Sequence, residues 1–165
     1  MMIKDRLLFL KYALPCAGTL INRGKVSKEY VDELKEMVSV GNLPKDDAEK
    51  MFKVAIAMCD SFAERMGKEY VDEEVIRRYF LLEHDKVVDE RYELMHDFNP
   101  TDCKTHSGKV IAMRGRVAEV ETELGKREYD TRFASYVKEG DTVAVHFDFI
   151  VEKISEEVAA KMRNK

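Results

Sequence analysis

Residues 139–154 read Glu-Gly-Asp-Thr-Val-Ala-Val-His-Phe-Asp-Phe-Ile-Val-Glu-Lys-Ile, and this stretch decides the fold. From Thr142 to Val151 the large apolar side chains recur at every second residue. A period of two predicts a β-strand that buries one face, with His146 on the opposite, outward and solvent-accessible face. The members of the predicted buried face are Val143, Val145, Phe147, Phe149 and Val151.

The residues on either side of this stretch extend the β pattern. Short apolar runs separated by glycines precede it and predict further strands joined by tight turns. Ser155, followed by Glu156 and Glu157, predicts a short terminal helix that begins with a capping side chain and two acidic residues. Few strands with short loops favour a small β-barrel resembling an OB-fold. The further predicted strands are residues 110–113, 116–121 and 127–133.

Residues 1–98 show the helical period of about 3.6 instead. Ser27 and Asp72 are predicted to cap two of the helices, and the apolar stripe from Met51 to Met66 is wide enough to predict the most buried one. The fold class is therefore α+β, with an N-terminal helical bundle followed by a small OB-like β-barrel with a short C-terminal helix. Pro100 disfavours helix before it, so the predicted domains are residues 1–99 and 100–165.

Composition narrows the class of protein. The chain is 45% hydrophobic and 36% charged, which is typical of a folded domain. Its net charge is −4: residues 1–99 carry 16 basic and 20 acidic side chains, and residues 100–165 carry 12 of each. Neither part has the basic excess of a nucleic-acid-binding surface. The sequence predicts neither nucleic acid nor a membrane as a partner.

The rarer residues indicate the environment. The cysteine count of three is odd and the spacing is wide, which favours a reducing cytoplasm over a disulfide framework. No run reaches the roughly 20 apolar residues of a membrane span. Glutamine is absent and asparagine is scarce, a bias typical of heat-adapted proteins. We therefore expect a cytoplasmic protein from a thermophile.

Two reactive side chains flank the barrel motifs. Cys103 is followed at an offset of five by Gly108-Lys109-Val110, and His146 follows Gly140-Asp141 within the strand pattern. Cys103 lies in a predicted polar linker, close to Lys104 and His106, where neighbouring positive charge favours the thiolate form that binds metals. Imidazole is a common ligand for iron, nickel and zinc.

These motifs resemble the HypC/HupF family of small hydrogenase-maturation chaperones over about the last two-fifths of the chain. That family begins Met-Cys-x-x-x-Pro-Gly-Lys-Val and ends Val-Gly-Asp-x-Val-x-Val-His-x-Gly-Phe-Ala-Ile-Glu-Lys-Leu. The resemblance implies a non-enzymatic metallochaperone in nickel–iron hydrogenase maturation, with Cys103 and His146 as ligands of a transiently bound iron fragment. It also implies partner binding at Gly108 and Lys109, with maturation proteins and a hydrogenase large subunit as partners.

Two departures from the family motif keep an alternative open. The family cysteine follows the initiator methionine, whereas Cys103 is internal, and Ser107 stands where the family has proline. His106 could supply an additional metal ligand in a Cys-x-x-His arrangement. The helical domain would serve for docking or dimerisation. The alternative function is a protein–protein interaction scaffold that retains the barrel without iron delivery.

Other candidate sites are weaker. Cys16 and Cys59 lie among apolar residues at helical spacing, which predicts core positions. His84-Asp85 and His96-Asp97 resemble the pairs of metal phosphohydrolases, but the further histidines of such a site are missing, since the chain has only four. No nucleophile elbow or phosphate loop occurs, and the sequence predicts no catalytic residues.

Overall fold

The computed structural model describes residues 1–165. The chain divides into two compact units, Met1–Phe80 and Leu81–Lys165. The sequence-based boundary between residues 99 and 100 concerns domains that fold independently, and it remains a prediction. Limited proteolysis between Asn99 and Ser107 tests it.

Helices make up the first unit, as the apolar periodicity predicts. The side chain of Ser27 accepts a hydrogen bond from the Tyr30 amide (3.1 Å), and that of Asp72 accepts one from the Val75 amide (3.1 Å), so both predicted caps are confirmed. The helices are α1 (Arg6–Ala13), α2 (Ala17–Asn22), α3 (Lys28–Ser39), α4 (Lys53–Arg65) and α5 (Glu73–Arg77), with 3-10 turns at Leu14–Cys16 and Ala48–Met51.

The core of this unit centres on α1, which corrects the expectation for residues 51–66. In α1 five of eight residues are buried, whereas in α4 only Cys59, Phe62 and Ala63 are. The stripe of α4 is wide in sequence, but a 3-10 turn and Phe52 interrupt the helix that should carry it. Aromatic rings fill the core around α1: the Phe80 ring centroid lies 5.7 Å from that of Phe9 and 5.2 Å from that of Tyr12.

The second unit contains the barrel. Its five strands are β1 (Thr105–Arg114), β2 (Val117–Thr122), β3 (Gly125–Asp130), β4 (Thr142–His146) and β5 (Phe149–Lys153). They close in the order β1-β2-β3-β5-β4, with β1 paired antiparallel to both β2 and β4. A short C-terminal helix follows, capped by Ser155 as predicted. The predicted α+β fold with an OB-like barrel is confirmed. The helices are α6 (His84–Met95), α7 (Pro100–Cys103) and α8 (Glu156–Arg163), and a π-helical segment, Arg78–Glu83, precedes α6.

The alternation from Thr142 to Val151 belongs to a hairpin and not to one strand. β4 ends at His146, and Phe147 adopts a positive φ of 50° in the two-residue turn before β5. Because the turn resets the alternation, Ile150 joins Val143 and Val145 in the barrel core. The expectation that Phe147 and Phe149 share the core face was wrong for this reason.

No helix of the protein is both long enough and apolar enough to span a lipid bilayer.

Candidate metal centre at the start of the barrel

Cys103 is the last residue of α7, a single turn of helix. Asn99 caps this turn by accepting hydrogen bonds from the amides of Thr101 (3.0 Å) and Asp102 (3.4 Å), and Pro100 occupies the first helical position, where its missing amide costs nothing. Cys103 is buried, with 7% of its surface exposed. The expected polar linker was therefore wrong, because α7 packs the thiol inward and Thr105 already begins β1.

His146 is the last residue of β4 and is fully buried. It is paired with Thr105 of β1 and with Phe149 of β5, so its side chain is on the face of the sheet opposite to the barrel core, as predicted. The outward face is not solvated here, since the rings of His84 and Phe147 lie at centroid distances of 5.0 Å and 5.4 Å. The expectation of an exposed imidazole was wrong.

The strand register brings these two side chains together. Cys103 precedes Thr105, the partner of His146, by two residues, and the Cys103 sulfur lies within 4.8 Å of a ring nitrogen of His146. This separation is smaller than two strand spacings, about 10 Å. His146 also donates a hydrogen bond from Nε2 to the Cys103 carbonyl (2.9 Å), which places the proton on Nε2 and the ring lone pair on Nδ1.

A buried polar network lies next to this pair at the start of α6. The Asp85 carboxylate accepts a hydrogen bond from the Thr105 amide (3.0 Å) and pairs with the Lys165 ammonium group (2.9 Å). The Lys165 ammonium group also donates to the carbonyls of Leu81 (2.9 Å) and Thr105 (3.1 Å). The first turn of α6 is thereby fixed against the beginning of β1.

Burial and charge shift the pKa values of this network in definite directions. Burial lowers the pKa of His84 and so favours a neutral ring, and this effect outweighs the opposing effect of the neighbouring Asp85 carboxylate. For Asp85, burial raises the pKa, but the interactions with His84, Lys165 and the Thr105 amide outweigh it and hold the pKa at about 2. The His84 Nδ1 to Asp85 Oδ1 distance of 3.7 Å is too long for a hydrogen bond.

His106 lies on the other face of the sheet. It is paired with Val145, a barrel-core residue, whereas its neighbour Thr105 is paired with His146. Its Nδ1 is 2.6 Å from a Glu123 carboxylate oxygen and its Nε2 is 3.2 Å from the Thr101 carbonyl. Strand alternation thus separates the proposed additional ligand from the Cys103–His146 pair.

Gly108 and Lys109 occupy different environments. A Cβ atom on Gly108 would lie 2.6 Å from Val120 Cγ1 and 2.8 Å from the Glu121 carbonyl oxygen, so only glycine permits this close approach of β1 and β2. Lys109 is exposed, and its ammonium group pairs with Glu156 of α8 at 3.3 Å. The packing of β1 against β2 therefore requires glycine at position 108, whereas the charged group of Lys109 is exposed to solvent.

The second motif, Gly140-Asp141, forms the turn that leads into β4. Gly140 has a φ of 92°, a conformation that favours glycine, and its amide donates to the Val110 carbonyl (2.8 Å). The Asp141 carboxylate accepts from the Lys138 amide (3.0 Å) and pairs with Lys153 (3.3 Å). These motif residues set the strand geometry on which the position of His146 depends.

The remaining cysteines behave differently from each other. Cys59 is fully buried in α4, and burial raises the pKa of its thiol to about 12, as suits an inert core residue. Cys16 is only half-buried, so the prediction that it is a core residue was too strong.

The donor atoms at Cys103 and His146 fit a transition metal. A thiolate and a neutral imidazole are ligands that suit iron, copper and zinc, and a ligating imidazole commonly donates its other nitrogen to a backbone carbonyl. His146 makes this second contact already. The contact of the His84 ring with His146 was not identified from the sequence, in which His84 was noted only as part of a His-Asp dipeptide.

Comparison with known protein families locates the site in a recognised domain. Residues 103–164 match the model of the HupF/HypC family. The HupF/HypC match begins at Cys103 and includes His146 and all five strands, whereas residues 1–102 lie outside it. It confirms the resemblance seen in the sequence and supports a role in hydrogenase maturation in general. No curated protein matches the chain.

Proposed function

We propose that this protein is a metallochaperone that carries an iron fragment on Cys103 and His146 during maturation of a nickel–iron hydrogenase. The observation that carries the proposal is the approach of the Cys103 sulfur to within 4.8 Å of a His146 ring nitrogen, inside the HupF/HypC region. A metal ion bonded to both atoms at about 2.0–2.3 Å holds them no more than about 4.4 Å apart, so metal binding is expected to draw the sulfur and the ring nitrogen together.

Loading requires a local opening, because both side chains are buried. The element that moves is α7, a single turn whose closing hydrogen bonds, from Cys103 to Asn99 and from Lys104 to Pro100, are both 3.2 Å long. Short helices with few internal hydrogen bonds open at low free-energy cost. Closure afterwards shields the thiolate and the iron fragment from water and oxidants.

Partner recognition belongs to the same proposal. The partners are maturation proteins that deliver the iron fragment and a hydrogenase large subunit that receives it. Lys109, exposed beside Glu156, is a charged contact for such a partner, and Gly108 permits the close approach of β1 to β2 beside it. The helical residues 1–99 would add a docking or dimerisation surface. No step of this function requires catalysis, and we place it in the cytoplasm.

A second candidate function is an interaction scaffold that does not deliver iron. The full burial of His146 favours it, since the hydrogen bond from the buried imidazole to the Cys103 carbonyl is a structural role that needs no metal. In the scaffold, the barrel and helices would bind the same partners, and the thiol would be a small apolar group.

Anaerobic purification of the full chain from a host that makes a nickel–iron hydrogenase distinguishes the two functions. The variants are Cys103→Ala and the matched control Cys59→Ala, which removes a thiol from the helical unit. The chaperone predicts iron and co-purifying maturation proteins with the wild type and with Cys59→Ala, and loss of iron with Cys103→Ala. Partner capture without iron in all three proteins would support the scaffold and contradict the chaperone.

A further inference from the structure

The barrel is closed between β3 and β5 by a single residue pair. Asp130 of β3 is paired in parallel with Phe149 of β5, and the register between these two strands contains no other pair. The Asp130 amide donates to the Asp148 carbonyl at 2.7 Å, away from β2. Because the backbone groups of alternate residues in a strand point to the same side, those of Lys126 and Glu128 also point away from β2. These two residues form a free strand edge.

This edge is open to solvent. Every residue from Gly125 to Glu128 is exposed, although β2 pairs with each of them on the other side. A groove of about 420 Å³ lies beside the edge, bounded by β3, by α7 and by the turn at Phe147 and Asp148. An edge of this kind accepts a further strand, because each free backbone group then gains a hydrogen bond.

We propose that this edge binds a second copy of the same chain, through antiparallel pairing of the two β3 strands about Arg127. In that register Lys126 of each copy lies opposite Glu128 of the other. The backbone groups of both residues face the added strand, so each such pair exchanges both of its hydrogen bonds, and its side chains bear opposite charges. The contact uses the same residues on both copies, as a two-fold dimer requires.

Charge selects this register over its neighbours. One strand can slide along the other only by two residues at a time, because the free backbone groups recur at every second residue. Sliding one way places Lys126 opposite Lys126 of the second copy, and sliding the other way places Glu128 opposite Glu128, and like charges directly opposite each other destabilise a strand pair. Within one copy, Lys109, Glu121 and Lys126 are register partners across β1, β2 and β3. Glu128 of the second copy extends this row of alternating charge.

The remaining charges of the edge are compatible with this pairing. The two Arg127 side chains would lie opposite each other, but each has a counter-ion in Asp102 of its own chain, at 3.6 Å. A lysine on an exposed edge usually discourages association, but Glu128 offsets the charge of Lys126 here. The paired segment is short and buries much less than the roughly 1,200 Å² of a stable interface, so we expect a weak dimer.

The test measures self-association of the full, metal-free chain by sedimentation equilibrium over a series of protein concentrations. Lys126→Glu and Glu128→Lys each place like charges opposite each other in a homodimer. In a mixture of these two variants, both pairs of the interface again join opposite charges. Lys161→Glu is the control, since it reverses an exposed charge on α8, away from the edge.

We expect the wild type and Lys161→Glu to dimerise at high concentration, and each edge variant alone to associate about 10-fold or more weakly. The mixture of Lys126→Glu and Glu128→Lys should form a heterodimer about as strong as the wild-type dimer. That recovery would also show that both variants are folded, because a misfolded chain could not restore the contact.

A wild type that remains monomeric at millimolar concentration would overturn the proposal. It would also be overturned by a dimer that neither edge variant weakens, or by a mixture that associates no better than its components. Because the contact does not involve Cys103 or His146, its failure would leave the proposed function standing.

Discussion

The two compact units of this protein differ in what they bury. In Met1–Phe80 the only buried polar or charged residue is Glu49, which pairs with Arg6, and the rest of the core is apolar. In Leu81–Lys165 seven buried polar residues occur, and every histidine of the chain lies there. They are His84, Thr105, His106, Thr131, Asp141, Thr142 and His146.

This difference shows where chemistry can reside. Buried polar groups are stable only when hydrogen bonds compensate their lost hydration, so each one constrains its surroundings. The helical unit is stabilised by the packing of apolar side chains. Such side chains must fit together in shape, but they need no hydrogen-bond partners. The barrel unit instead positions titratable and metal-ligating atoms at fixed distances from one another, as a binding site requires.

The largest expected effect tests the apolar side of this comparison. Phe9→Ala removes a fully buried ring that contacts Phe52 and Phe80, and should lower the free energy of unfolding by about 3–5 kcal/mol. Val40→Ala, at a residue with 71% of its surface exposed, is the control and should change it by less than about 0.5 kcal/mol. Equal losses in urea unfolding would contradict the central position of α1.

The polar side of the comparison should be sensitive to pH. The pKa of Asp85 is about 2 in the folded protein and about 3.9 unfolded, so its ionised form contributes roughly 2–3 kcal/mol of stability above about pH 5. This contribution is lost as the pH falls from about 4 to 2. The stability difference between wild type and Asp85→Asn, measured by urea unfolding at several pH values, should therefore shrink over that interval. A constant difference would show that Asp85 is not held ionised by its partners.

The two units should also differ in how they tolerate the replacement of a glycine by alanine. Gly108→Ala places a Cβ atom against Val120 and the Glu121 carbonyl, and should cost about 1–3 kcal/mol by forcing β1 from β2. Gly18→Ala, in α2 with no atom near the new Cβ, should be neutral or stabilise by about 0.5–1 kcal/mol. Thermal unfolding followed by circular dichroism measures both, and a harmless Gly108→Ala would refute the steric explanation of the Gly-Lys motif.

The smallest effect is expected at exposed charges of the barrel. Arg114 pairs with Glu119 and Glu128 at 3.0 Å, but its side chain is 63% exposed. Arg114→Ala should lower stability by no more than about 1 kcal/mol, and less at high salt, because exposed ion pairs are screened. A larger loss in urea unfolding would mean that surface charges, and not only buried ones, hold this unit.

Local signals explain which features could be predicted from the sequence. The helix caps at Ser27, Asp72 and Ser155 depend on residues three positions away, and all three form as expected. The barrel was also predictable, because short alternating runs and glycine turns indicate its strands, although the β4–β5 hairpin was expected to be one strand. Likewise, the approach of Cys103 to His146 follows from β1 pairing with β4, which barrel closure requires.

Long-range contacts explain what could not be predicted. Period-two alternation continues across the Phe147 turn, so the sequence pattern hides the end of β4. The burial of His146 depends on the ring of His84, which sits 62 positions earlier and is fixed by the Asp85 contact with Thr105. The sequence around residue 84 does not predict that contact, so His84 was noted in the sequence only as part of a His-Asp dipeptide.

The central claim is that Cys103 and His146 bind one iron ion together, and a double-mutant cycle of Fe²⁺ affinity under anaerobic conditions tests it most directly. The proteins are the wild type, Cys103→Ala, His146→Ala and the double variant, each checked for folding by circular dichroism, with Cys59→Ala as the thiol control. The account predicts that either single variant loses most of the affinity and that the double variant loses little more, because the two ligands act as a unit. Wild-type affinity in both single variants, or no Fe²⁺ binding by the wild type, would contradict it.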